Sequence, residues 1–297
     1  MIAAFILMVV VFSILSPVFF SYGNFINIAN QTAIISVLAF GMTLVMLSGG
    51  IDLSVGSLVS ISAVICALLL DAGASTPVAM GVSILTGVTF GGLSGFISVK
   101  WGVQTFLVTL GVLSVARGLS LVLSEGRTIY IDSEFFLSIM AQGYIGPVPV
   151  LFAWTLLFFF GSWLVLNLTT FGRKVRAVGG NIKAARQAGV RTNWIIIRVF
   201  MISGGLAAFG GLMMAGRLSS GLPTVGVGME LDAIAAAVLG GTGFKGEGGS
   251  LVGTFFGALI MGTVINGLTI LGINPYIQEI TKGIIIVLAV VIVSIRK

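Results

Sequence analysis

Long apolar runs, broken by short polar or Gly/Pro-rich stretches, make up most of the chain. A spanning helix needs ~20 mostly apolar residues. By that measure the pattern predicts ten helices, near 2–20, 30–48, 53–70, 77–99, 104–123, 147–170, 193–216, 231–244, 250–272 and 276–295. The second and eighth are short and end in glycine-rich stretches, so a broken helix fits them as well as a clean span. No long linker or low-complexity tail interrupts the series. Residues 1–297 therefore form one transmembrane domain of an all-α polytopic membrane protein.

Composition agrees. Of 297 residues, 57% are hydrophobic and 8% charged, against about 25% charged in soluble domains. Such a surface suits lipid. The start, Met1-Ile2-Ala3-Ala4-Phe5, has no Lys or Arg ahead of its apolar stretch, so residues 1–20 read as a span rather than a signal peptide. Glycine is abundant, at 42 residues. Gly87, Gly91 and Gly95 recur at four-residue steps, as do Gly253 and Gly257, and Ala258 and Gly262. Those faces are expected to pack closely against neighbouring helices. A single cysteine, Cys66, rules out an internal disulfide. The absence of histidine excludes histidine metal sites and His-dependent triads. No G-x-x-x-x-G-K-[ST] loop is present, so ATP is not bound in that way. No carboxylate cluster suggests a membrane-bound metalloenzyme, and no charged pair is expected deep in the spans, where ion-coupled carriers often show one.

The net charge of +6 reflects topology rather than nucleic-acid binding. With a cytoplasmic N-terminus, the inner side holds Lys100, Arg173, Lys174, Arg176, Lys183, Arg186, Arg191, Lys245, Arg296 and Lys297. The outer side holds Asp71, Glu125, Asp132, Glu134, Glu230, Asp232 and Glu279, with Arg127, Arg217 and Lys282. This satisfies the positive-inside rule with both termini cytoplasmic. Outer loops are then expected at 124–146 and 217–230, and a basic inner loop at 171–192.

Two stretches stand out. The first is Ser48-Gly49-Gly50-Ile51-Asp52-Leu53-Ser54-Val55-Gly56-Ser57. Ser48 and the two glycines unwind the chain, and Asp52 or Ser54 can cap the next helix. Either this is a plain capped inner turn, or Ser48, Gly49, Gly50, Asp52, Ser54 and Gly56 line a polar pathway. The second lies in the basic loop. Asn181 is a good N-cap, Ala184 and Ala185 favour helix, and Gly189 suits the position after its end. These residues predict a two-turn helix parallel to the membrane, which needs a surface to pack on. An echo links Leu47-Ser48-Gly49-Gly50 to Leu239-Gly240-Gly241, either an internal repeat or a chance match of glycine turns. Arg117 is a basic residue well inside a span, either snorkelling outward or facing the interior.

The run Gly41 to Ser57 resembles the permease subunit of bacterial ABC importers for ribose, xylose, arabinose and similar sugars. The resemblance recurs at Phe171-Gly172-Arg173, Gly179-Gly180-Asn181, Ala184-Ala185-Arg186 and Gly189, and at Leu239 to Thr242 and Gly246 to Gly253. A longer basic segment ahead of the first span would be usual there. The resemblance implies a ten-helix, cobalamin-importer-like (type II) fold in the bacterial inner membrane. It implies a second permease subunit, a cytoplasmic ABC ATPase carrying ATP and magnesium, and a periplasmic substrate-binding protein, with no cofactor on this chain. Gly179, Gly180, Asn181, Ala184, Ala185, Arg186 and Gly189 resemble the coupling helix that docks into the ATPase. The alternatives are a stand-alone carrier or facilitator, or a permease for a nucleoside, polyol or signalling furanose derivative.

Overall fold

The computed structural model describes residues 1–244, 246 and 248–295; Lys245, Arg296 and Lys297, assigned above to the inner side, lie outside the described residues. The helices run α1 (Ile2–Leu15), α2 (Tyr22–Leu47), α3 (Val55–Asp71), α4 (Thr76–Trp101), α5 (Thr105–Leu123), α6 (Glu134–Leu137), α7 (Val150–Leu168), α8 (Thr170–Gly180), α9 (Ile182–Gln187), α10 (Thr192–Leu218), α11 (Met229–Leu239), α12 (Leu251–Ile270) and α13 (Pro275–Ile295). Four two-residue strands, β1 (Ile129–Tyr130), β2 (Tyr144–Ile145), β3 (Val148–Pro149) and β4 (Ser220–Gly221), and a π-turn at Ser138–Gln142 complete them. Among the described residues, six helices, α2, α4, α5, α7, α10 and α12, are long and apolar enough to cross a membrane.

Several boundaries differ from expectation for identifiable reasons. α1 stops before Pro17, consistent with the bias of a pre-proline residue against helix. α2 begins at Tyr22, not 30, because the Ser21 hydroxyl caps it by accepting from Asn24 N at 3.3 Å. Asn24, Asn27, Asn30 and Gln31 lower the hydropathy of its first turns without breaking the helix. Its 26 residues form one unbroken helix. α11 is instead only 11 residues long, roughly 16 Å, about half of an apolar bilayer core. The basic inner loop opens as helix α8, which Thr169 caps through Gly172 N at 3.2 Å; its three glycines hide it from propensity.

α10 forms the centre, packed on α4, α3 and α2, while α2 also meets α12, α11 and α7. The α4–α10 crossing depends on the expected glycine face. A Cβ on Gly87 would lie 2.3 Å from the Gly204 carbonyl, and one on Gly91 2.1 Å from the Phe200 carbonyl. Gly253 and Gly257 bring α12 equally close to the α11 backbone, and Gly262 brings it against Thr32 of α2. Around this core, Ile14, Leu85, Val122, Leu157 and Ile280 are exposed, as lipid-facing residues should be. Outside it, β1 pairs with β4 and ties the 124–146 segment to the chain after α10.

Candidate coupling and translocation site

The Ser48-Gly49-Gly50 turn ends α2 in a Schellman closure. Gly49 has φ +84°, Gly50 N donates to Val45 O at 3.0 Å and Gly49 N to Met46 O at 2.9 Å. The Leu239-Gly240-Gly241 turn closes α11 in the same way. Gly241 has φ +89°, Thr242 N donates to Ala237 O at 3.0 Å and Gly241 N to Val238 O at 2.8 Å. Each turn leads to a serine-started helix, at Ser54 and Ser250. The echo read in the sequence is therefore a repeated local structure. Thr43 and Thr254, one from each unit, share a hydrogen bond of 2.7 Å.

Between Gly50 and Ser54 the backbone is not helical. Its polar groups are met by α5: Ile51 N donates to Thr105 Oγ1 and Leu53 N to Thr109 Oγ1, both at 3.1 Å. Asp52 is fully buried. It accepts from Ser54 N at 3.0 Å, Ser54 Oγ at 2.6 Å and Ser203 Oγ on α10 at 2.9 Å. Burying a carboxylate without such donors would be costly. Ser54 occupies the N-cap position but makes no side-chain cap bond, its hydroxyl being given to Asp52. Asp52 thus neither caps α3 nor faces open space; it fastens the unwound segment to α10. Ser48 is buried and donates to Val45 O at 2.7 Å. Gly50 rests against Phe200 and Thr105.

The predicted inner helix is present as α9. Asn181 Oδ1 accepts from Ala184 N at 3.0 Å, and Gly189 follows the helix with φ +79°. Ala185 is its buried foot; Asn181, Ile182, Lys183, Ala184 and Arg186 are exposed. Arg186 also reaches Thr192 and Asn193 at the start of α10, at 3.4 and 3.3 Å. Just ahead of α9, Gly179 closes a three-way contact. A Cβ there would lie 1.9 Å from the Leu47 carbonyl and 3.3 Å from Gly246 Cα, whereas one on Gly180 would meet nothing within 4 Å. The α8–α9 unit therefore rests at Gly179 on the end of α2 and on Gly246, in the segment that follows the second turn. Gly49, Ile51, Ile182 and Arg186 also line a shared cavity of about 430 Å³.

A second non-helical segment, between β4 and α11, packs against the other half of α5. Arg117 Nη1 donates to Pro223 O at 3.1 Å and Val225 O at 2.6 Å, and Ser60 Oγ donates to Pro223 O at 2.6 Å. Arg117 faces the interior. Thr105 and Arg117 stand roughly 18 Å apart along α5, so the two irregular segments meet the helix well apart. Gly56, at the start of α3, abuts Gly226 O and Glu230 Oε2, each 2.2 Å from where its Cβ would be. Glu230, expected in the outer loop 217–230, is helical instead. Glu230 and Asp232 lie in the first turn of α11, and Lys282 of α13 pairs with Asp232 at 3.5 Å and Glu279 at 3.0 Å. A charged pair does therefore join two helices. Irregular backbone inside an apolar helix bundle needs partners for its polar groups; here side-chain donors supply them.

Sequence reasoning missed Thr105, Thr109, Ser203 and Gly246 as parts of this arrangement. The i, i+4 threonines on α5 were a readable signal; Ser203 carried none.

Comparison with known proteins places these features in context. Residues 24–290 match the family described as branched-chain amino acid transport system / permease component. The chain is 39% identical over 290 residues to a ribose import permease protein of Haemophilus influenzae, covering 97% of this chain and 90% of that one. It is 38% identical over 287 residues to the ribose import permease protein of Bacillus subtilis, covering 96% and 89%. It is 34% identical over 292 residues to the L-arabinose transport system permease protein of Escherichia coli, covering 98% and 88%. No solved structure matches it at a significant level.

Proposed function

The chain belongs to the branched-chain amino acid transport system / permease component family, and on that footing we propose that it is the membrane-spanning permease subunit of an ABC importer for a monosaccharide. The named substrates of the relatives, ribose and arabinose, support the cargo class. The observation that carries the mechanism is the seating of Gly179, at the end of α8, on both the end of α2 and the segment between α11 and α12. In this reading the chain has about ten membrane-associated helices in a type II arrangement, with both termini cytoplasmic in a bacterial inner membrane. It pairs with a second permease chain, a cytoplasmic ATPase that holds ATP and magnesium, and a periplasmic binding protein.

α9 is the coupling helix. Its capped, exposed face docks into the ATPase, and Ala185 anchors it from beneath. Closure of the ATPase pair on ATP displaces α9. Gly179 then carries the displacement to the Leu47 carbonyl and to Gly246, so the inner ends of the α2–α3 and α11–α12 units move together. The connection from Asp52 to Ser203 transmits the change to α10. Such a two-state element, biased by an external motor, is sufficient for alternating access.

Ala184 tests the docking face because it is exposed and a larger side chain there does not disturb the fold. Ala184→Glu is expected to purify as a folded permease that no longer retains the ATPase or supports uptake. Full retention of both would remove α9 from the coupling role.

A further inference from the structure

At the end of the bundle opposite α9, the first turns of α2 and the last turns of α10 and α12 enclose a cavity of about 350 Å³, within the size range of small-molecule sites. Its lining is dominated by carboxamides. Asn24, Asn27 and Gln31 recur at i, i+3 and i+7 on α2, Asn30 sits beside them, and Asn266 faces them from α12. Asn266 is 4% exposed, and its Oδ1 has no partner among the described residues; nor do the buried Oδ1 of Asn30 and Oε1 of Gln31. Buried amides nearly always find partners, and these three unpaired ones belong to side chains that border one cavity. Arg217 is the single charged side chain in the lining, and no carboxylate is present.

We infer that this cavity is a low-affinity binding site for a neutral polyhydroxylated solute, a relay at the outer mouth between delivery and the pore. The inference rests on the importer reading above and names where its cargo first touches the permease. Each amide offers an acceptor oxygen and two N–H donors, which suits hydroxyls, themselves donor and acceptor at once. The Arg217 fork can donate to two neighbouring hydroxyl oxygens. A cationic solute would find no counter-charge here, and an anionic one only a single partner.

Two measurements test this. In the first, Asn27→Cys is introduced with Cys66→Ser, and the rate of labelling by a membrane-impermeant thiol reagent is followed with and without D-ribose. D-ribose is expected to slow labelling severalfold. In the second, sugar moved per ATP hydrolysed is measured in proteoliposomes holding permease, ATPase and binding protein. Asn266→Leu and Gln31→Leu are expected to lower that ratio about tenfold, equivalent to about 1.4 kcal/mol, with Asn266→Gln recovering part of it. No protection by D-ribose, or an unchanged ratio in both leucine variants, overturns the site. Stronger protection by D-ribose 5-phosphate than by D-ribose overturns its neutral character. Protection in a system whose wild type moves no pentose upholds the site and sinks the importer reading alone.

Discussion

Replacing Gly179 by alanine is a minimal change with an outsized expected consequence. Its φ lies outside the left-handed region, so the backbone tolerates alanine, and within a helix alanine is favoured over glycine by about 1 kcal/mol. Only the neighbour objects. The added Cβ would lie 1.9 Å from the Leu47 carbonyl oxygen, where an ordinary carbon–oxygen contact is about 3.3 Å. α8 must therefore back away by roughly 1.4 Å, or the last carbonyl of α2 must turn. Overpacking of this kind costs about 1–3 kcal/mol, which leaves a net loss of roughly 0–2 kcal/mol after the helix gain. The displacement falls where α8 meets both the end of α2 and Gly246. Gly161→Ala, on α7, is the control, because nothing lies within 4 Å of its Cβ position. In proteoliposomes with ATPase and binding protein, Gly179→Ala is expected to lower sugar moved per ATP about tenfold, while Gly161→Ala matches the wild type. Equal behaviour of the two variants would refute the reasoning.

Gly91→Ala, which drives a Cβ to 2.1 Å from the Phe200 carbonyl, is expected to destabilise the α4–α10 crossing by about 1–3 kcal/mol; thermal unfolding in detergent measures it, with Gly111→Ala, unobstructed on α5, as the neutral comparison. Asp52→Ala leaves Ser203 Oγ and Ser54 N without their acceptor and is expected to cost about 1–3 kcal/mol, whereas Asp52→Asn, which keeps an acceptor oxygen, loses clearly less in the same assay. Arg117→Met removes the side-chain donor of Val225 O and leaves Pro223 O to Ser60 alone; a cysteine at Val225 is then expected to react with an impermeant thiol reagent severalfold faster than in the parent protein.

The helices with a continuous apolar face were legible because hydropathy and length report burial in lipid directly. The close-packing glycines of α4 and α12 were legible from spacing, since only small residues admit a neighbouring backbone. So was α9, because Asn181 and Gly189 carry specific cap chemistry. What stayed hidden depends on partners distant in the chain. Hydropathy broke α2 at its asparagines, although a helix tolerates polar side chains that line a cavity. Glu230 read as a loop residue because charge is expensive in lipid, yet it lies in the first turn of α11 beside Asp232, which Lys282 pairs. The Ser48–Gly56 stretch announced an unwound segment, yet which groups hold it, Thr105, Thr109 and Ser203, follows only from how α5 and α10 pack.

The account turns on a permease that cannot move its cargo without an external motor acting through α9. The most direct test is uptake of radiolabelled D-ribose or L-arabinose into proteoliposomes containing the chain alone, or the chain with its ATPase, the binding protein and internal ATP. The account predicts uptake of one of these sugars only in the complete, ATP-loaded system. Concentrative or facilitated uptake by the chain alone would contradict it.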